Sequence, residues 1–170
     1  MKAYLAVDCI GYKTGQKLWP FFSTVSKNFE ANGWGTKFPV LLQHLCDNSK
    51  VEIKDLLQLK QEVEFLCEEF PKLKIKDIIL DFDNPEKKLF CENQQDYELP
   101  ALEFFANENG FNYLEIFTSA VNDALEVQFP LEIKQMTSED WYNILTAKKS
   151  NTAQRAVLVL MLTRTACRLK

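Results

Sequence analysis

The chain has 170 residues, 46% of them hydrophobic, which is enough for one good core, and no run approaches the ~18 to 20 apolar residues of a membrane span. The net charge is -4, but from Trp141 onward there are six basic residues and no acid, so residues 1–140 hold 14 lysines against 24 acids, 14 - 24 = -10. A body so acidic repels nucleic acid and attracts basic partners, most strongly at low salt.

In chain order, Ala3 to Ile10 is apolar and partly alternating, which predicts a first strand ending at Gly11. Leu18, Phe22, Val25 and Phe29 recur at helical spacing and predict a helix that tolerates Pro20 in its first turn and stops at Asn32-Gly33. The stretch Gly33-Trp34-Gly35-Thr36-Lys37-Phe38-Pro39 then forms a shaped corner. Its two glycines permit unusual backbone angles, and Trp34 packs as a lid on the core; Gly33, Trp34, Gly35, Phe38 and Pro39 are read as structural. A short second helix follows through Leu45.

Asp55 to Phe70 carries the strongest helical pattern, with Leu56, Leu59, Val63 and Leu66 on one face and Pro71 closing it. The β-branched run Ile75 to Phe82 predicts a strand, and the polar stretch Asp83 to Leu99 a long surface loop. A short helix from Pro100 to Ala106, a turn at Glu108-Asn109-Gly110, a helix within Phe111 to Val127 and a strand from Phe129 to Ile133 complete the body. Ser138-Glu139-Asp140 would cap a further helix through Leu145, and Val157 to Leu162, apolar all round, must be buried on its own domain or in a homodimer. The expected fold class is therefore α+β: a small sheet of a few strands packed with several amphipathic helices in one domain, 1–140 acidic and 141–170 a basic helical extension.

Catalytic and cofactor signals are weak. Cys9, Cys46, Cys67, Cys91 and Cys167 are odd in number and widely spaced, with no CxxC pair, and read as free thiols of a reducing compartment. No secretory signal opens the chain, so a cytoplasmic protein is expected. His44, the single histidine, sits in Leu42-Gln43-His44-Leu45-Cys46 and reads as a half-exposed helix residue, not a nucleophile's base or a zinc ligand. Gly33-x-Gly35 lacks the third glycine of a dinucleotide site. On a strand, Asp81 and Asp83 would share one side, which is one way to build a metal-dependent hydrolase or nuclease; no third ligand accompanies them.

The ordered series of features resembles the Imm70 immunity proteins of bacterial polymorphic-toxin systems, from about Trp19 to Ile133. The residues that carry it are Asn32 to Pro39, then Leu41-Leu42 and the long acidic helix, then Asp81-Phe82-Asp83-Asn84-Pro85. It continues through Leu102-Glu103-Phe104-Phe105, Asn109-Gly110, Ala120 and Ala124, and Leu131-Glu132-Ile133. The chain departs from that pattern at Lys88 to Glu92.

The resemblance implies a small cytoplasmic binding protein, not an enzyme and without a cofactor, that neutralises a toxin domain encoded beside it. Clustered carboxylates and a few aromatic anchors suit the inhibitor of a basic toxin. Asp81, Asp83, Glu86, Glu92, Asp96 and Glu98, with Phe90 and Tyr97, are the toxin-binding candidates; the helix face bearing Glu62, Glu64, Glu68 and Glu69 is the rival surface.

Overall fold

The computed structural model describes residues 3–7, 10–15, 17–106 and 110–135, which form the α+β unit that the sequence predicts. The expectations for the basic extension, its helices, Trp141 and the apolar run 157–162 lie outside the described residues, as do Cys9 and Cys167.

Four strands make one antiparallel sheet in the order β2-β1-β4-β3: β1 Ala3–Val7, β2 Ile10–Gly15, β3 Lys50–Val51 and β4 Leu131–Gln135. Register is set by pairs such as Leu5 with Ile133 and Val7 with Leu131 on one side of β1, and Leu5 with Tyr12 on the other. The chain therefore folds back where a single strand was expected. Gly11, Lys13 and Gly15 give β2 the composition of a loop, and it forms because it lies at the sheet's edge, where one ladder of hydrogen bonds suffices.

Helix α1, Leu18–Phe29, buries Leu18, Phe21, Phe22 and Val25. Phe21 is the hub of the core, with its ring 5.2 to 5.6 Å from those of Phe70, Phe105, Tyr113 and Phe117. Rings at this spacing add a preferred geometry to a large apolar burial. A π-helix, wider in cross-section than an α-helix, follows the corner over Val40–Asp47, and then α2, Leu56–Glu69, turns Leu56, Leu59, Val63 and Leu66 inward. After the single turn α3, Ala101–Phe104, comes α4, Tyr113–Val127.

Asn112 caps α4: its side chain accepts from the Glu115 amide at 3.0 Å while the Glu115 carboxylate accepts from the Asn112 amide at 3.3 Å. This reciprocal pairing satisfies two donors that a helix start otherwise leaves open. Ala120 and Ala124 are fully buried and α2 packs on α4. The Tyr12 hydroxyl bonds the Asp123 carboxylate, tying β2 to this helix.

Ile75 to Phe82 is not a strand. Residues Ile75–Asp77 make one tight turn, and both Ile78 and Ile79 are buried, so the alternation a strand needs is broken. The Ile79 N–H donates to Thr24 Oγ1 of α1 at 3.0 Å, while that hydroxyl gives its own proton to the Pro20 carbonyl at 2.7 Å, with the Ile79 carbonyl 3.3 Å away. Asn28 Nδ2 donates to the Asp77 carbonyl at 3.0 Å. With these groups paired to helix side chains and the Ile75 N–H donating to the Leu99 carbonyl at 2.9 Å, the segment does not join the sheet.

Candidate functional site

The corner between α1 and the wide helix is built around Glu30, the one acid between Asp8 and Asp47. Its carboxylate is buried and accepts from Ser26 Oγ at 2.6 Å and the Gly35 amide at 2.9 Å on Oε2. On Oε1 it accepts from the amides of Lys37 at 2.9 Å and Phe38 at 3.0 Å. Three main-chain donors of a loop that cannot pair with itself are thereby satisfied by one side chain. Gly33 at φ 100° and Gly35 at φ 72° provide the left-handed backbone that turns those donors inward. Phe38 is buried beside them, and Pro39 leads into the wide helix.

Glu62 holds the other end. It accepts from the amides of Leu41 at 2.8 Å and Val40 at 3.2 Å, and from Gln58 Nε2 at 3.2 Å. Here it sits at the start of the wide helix, where unpaired amides favour a negative charge. Burial nevertheless raises its pKa, with those hydrogen bonds pulling the other way. Glu62 therefore does not belong to the exposed acidic face expected for α2; Glu64 and Glu68 do, and Glu69 pairs with Lys72 at 2.6 Å. Neither buried glutamate stood out as a holder of backbone. The readable signals are the isolation of Glu30 and the placing of Glu62 between Leu59 and Leu66 on the apolar stripe.

So held, the corner presents three rings. Trp34 lies 5.5 Å from Trp19, which projects from the first turn of α1, and 4.9 Å from Phe82. Trp34 and Phe82 are half-buried; Trp19 is 42% exposed. Each indole is bound at its N–H by a carboxylate, Trp19 Nε1 to Asp81 Oδ1 at 3.4 Å and Trp34 Nε1 to Asp47 Oδ2 at 3.0 Å. The Lys27 ammonium lies 3.9 Å from the centre of the Phe82 ring, a cation–π contact.

The candidates from the sequence divide into two groups. Asp81 Oδ1 also accepts from the Asp83 amide at 3.2 Å, so the two acids close a turn in place of lining one side of a strand. Asp83, Glu86 and Glu92 are exposed, and among the described residues their side chains make no hydrogen bond or ion pair; Phe90 stands 84% exposed. The others shape the loop. The Tyr97 hydroxyl accepts from the Cys91 amide at 3.2 Å and donates to the Leu89 carbonyl at 3.3 Å, and Asp96 accepts from Asn93 Nδ2 at 3.3 Å. Glu98 is bonded by Lys74 and, at 2.7 Å, by Lys76, which pull its carboxyl down to about 2.

Elsewhere, His44 Nδ1 lies 3.4 Å from Asp55 on the half-buried side of the wide helix. Cys46, Cys67 and Cys91 are free, and burial pushes the Cys46 thiol up to about 12. Among the described residues no group of three His, Cys, Asp or Glu side chains is placed to hold a metal ion, and no helix is long and apolar enough to cross a membrane.

Fold and corner together describe a small α+β protein that presents Trp19 from the first turn of α1 and exposed acids on the loop after Asp81 and on α2. The family model for immunity protein 70 matches residues 5–133, and the chain belongs to that family. Neither a curated protein nor a solved structure matches it.

Proposed function

We propose that this immunity protein binds a cognate toxin domain encoded beside it and neutralises it by occlusion, without catalysis, in the cytoplasm of the cell that makes the toxin. The family match over residues 5–133 carries this reading. The docking surface is the acidic side formed by Asp81, Asp83, Glu86, Phe90 and Glu92, with Asp96, Tyr97 and Glu98 holding the loop in shape behind it. What supports it is that carboxylates at Asp83, Glu86 and Glu92 are left without partners among the described residues, in the same loop as the exposed ring of Phe90. Residues 81–92 carry four acids against two lysines, Lys87 and Lys88, and such a local excess of negative charge steers a basic partner and sets orientation, while an aromatic anchor supplies the desolvated contact.

The test is co-expression of the full chain with the C-terminal domain encoded by the neighbouring toxin gene, scored by pull-down and by rescue of growth. A stable complex with rescue is expected. Reversing Asp83, Glu86 and Glu92 to lysine should then slow association about tenfold or more and flatten its dependence on salt. Rescue with no complex would refute occlusion, and unchanged association kinetics in the reversed variant would remove this loop as the docking surface.

A further inference from the structure

The three-ring corner has features that folding alone does not call for. Trp19 leaves 42% of its surface in water, although it sits 5.5 Å from Trp34, a half-buried ring that packs on the core and meets Phe82 in turn. Both carboxylates that border the rings are only half used. Asp81 takes its two hydrogen bonds on Oδ1, and Asp47 takes the Trp34 indole on Oδ2. Among the described residues Asp81 Oδ2 and Asp47 Oδ1 accept no hydrogen bond, and the Asp83 carboxylate, two residues beyond Asp81, accepts none. Two carboxylates, Asp47 and Asp81, thus border the rings, Asp83 follows in the same turn as Asp81, and one ammonium, Lys27, touches the Phe82 ring.

An indole face next to a carboxylate with a free oxygen is the environment that suits a guanidinium. Its plane stacks on the ring, and its N–H donors reach the carboxylate from the edge. A lysine ammonium gains less from such a pair, because it is a point charge that holds its water more tightly. A neutral apolar side chain would bury Trp19 but leave the carboxylate oxygens stripped of water and unpaired, which is costly. The contact of Lys27 with Phe82 displays the same attraction within the molecule.

We propose that the Trp19–Trp34–Phe82 corner captures an arginine side chain of the toxin, stacked on Trp19 and bonded by Asp81, with Asp47 and Asp83 supplying further negative charge. This deepens the toxin-binding reading and rests on it for the identity of the partner. The acidic excess of residues 1–140 guides the encounter, and the corner fixes the register. Trp and Arg are also the side chains most enriched among residues that dominate binding energy.

The experiment measures the affinity of the full chain for the neighbouring toxin domain in three variants, Trp19→Ala, Trp19→Leu and Asp81→Asn. Each lies on exposed or half-buried surface, and thermal unfolding of each is recorded beside the binding. Trp19→Ala should weaken binding about 30-fold or more, Trp19→Leu nearly as much, and Asp81→Asn about tenfold with a shallower salt dependence. Changing each toxin arginine to glutamine in turn should identify one whose loss costs no further affinity in the Trp19→Ala background. Wild-type affinity in Trp19→Leu would mean a purely apolar contact and overturn the proposal, as would the lack of any coupled arginine.

A separate titration uses N-acetyl-arginine amide, with N-acetyl-citrulline amide as the neutral control, following the indole N–H resonances of Trp19 and Trp34. Shifts confined to the arginine compound are expected. If the toxin domain does not bind but the arginine-specific shifts occur, the partner assignment fails and the corner's chemistry stands. If neither compound or both compounds alike move the indoles, the proposal falls whatever the toxin does.

Discussion

Glu30→Gln tests the corner's construction with the smallest change in shape. The carboxylate accepts four hydrogen bonds, two on each oxygen, and an amide can accept on one side only. With its nitrogen toward Lys37 and Phe38 it would face two N–H donors and lose both bonds. Turned the other way it faces Ser26 and Gly35, and the Ser26 hydroxyl can rotate to become the acceptor, so one bond is lost and the second orientation wins. The buried Gly35 amide is then orphaned, at about 1 to 3 kcal/mol, and the bonds from Lys37 and Phe38 fall from about 1.5 to 3 kcal/mol each toward the neutral value of about 0.5 to 1.5. Relief from burying a charge opposes these losses. The net expectation is about 2 to 4 kcal/mol, with Glu30→Ala worse because all three amides are orphaned. Denaturant unfolding followed by tryptophan fluorescence gives the free energy, and amide exchange at Gly35, Lys37 and Phe38 gives its location. A Gln variant within about 0.5 kcal/mol of wild type, with Gly35 equally protected, would refute the account of Glu30 as the holder of the loop.

Gly35→Ala should destabilise by about 1 to 3 kcal/mol, because the residue stands at φ 72° and a Cβ would come within 2.5 Å of the Gln43 side chain, which now donates to the Gly35 carbonyl at 3.1 Å. A thermal midpoint unchanged from wild type would contradict that. The raised pKa of Glu62 gives a pH dependence of definite sign. The native state holds the proton more tightly than the unfolded chain, so this residue's contribution is full below the ordinary value of 4.5 and is lost as pH rises through the folded pKa. The stability of wild type relative to Glu62→Gln should therefore decline as pH rises from about 4.5 toward neutrality; a difference that grows with pH would reverse the assignment.

The helices were readable because each buries one face against the core: Leu18, Phe22 and Val25 in α1, and Leu56, Leu59, Val63 and Leu66 in α2, follow the helical period without interruption. The corner was readable from its glycines, but its construction was not, since Glu30 acts on amides whose direction depends on the folded loop. The second strand escaped notice because composition decides little at a sheet edge, where pairing with β1 does the work. The run Ile75 to Phe82 misled for the opposite reason. Its β-branched residues fit a strand, but tertiary contacts with Thr24 and Asn28 claim its backbone. As for the candidate surface, the acids of the loop were visible in the sequence, whereas the meeting of Trp19, Trp34 and Phe82 joins residues up to 63 positions apart and no local pattern encodes it.

Glu30 and Glu62 grip main-chain amides, and an amide is the same whatever side chain its residue carries. The grip of Glu30 and Glu62 is therefore independent of side-chain identity, and what Thr36 and Lys37 add comes separately, through the Thr36 hydroxyl on the Gly33 carbonyl at 2.9 Å and the Lys37 ammonium over the Phe65 ring. An immunity protein framed in this way can be retargeted: the groups proposed to meet a partner, Trp19 and the exposed side chains of the loop after Asp81, can be exchanged for others while the scaffold that aims them keeps its shape. On that proposal specificity and architecture belong to different residues, which makes this corner a place to graft a new binding preference without redesigning the fold.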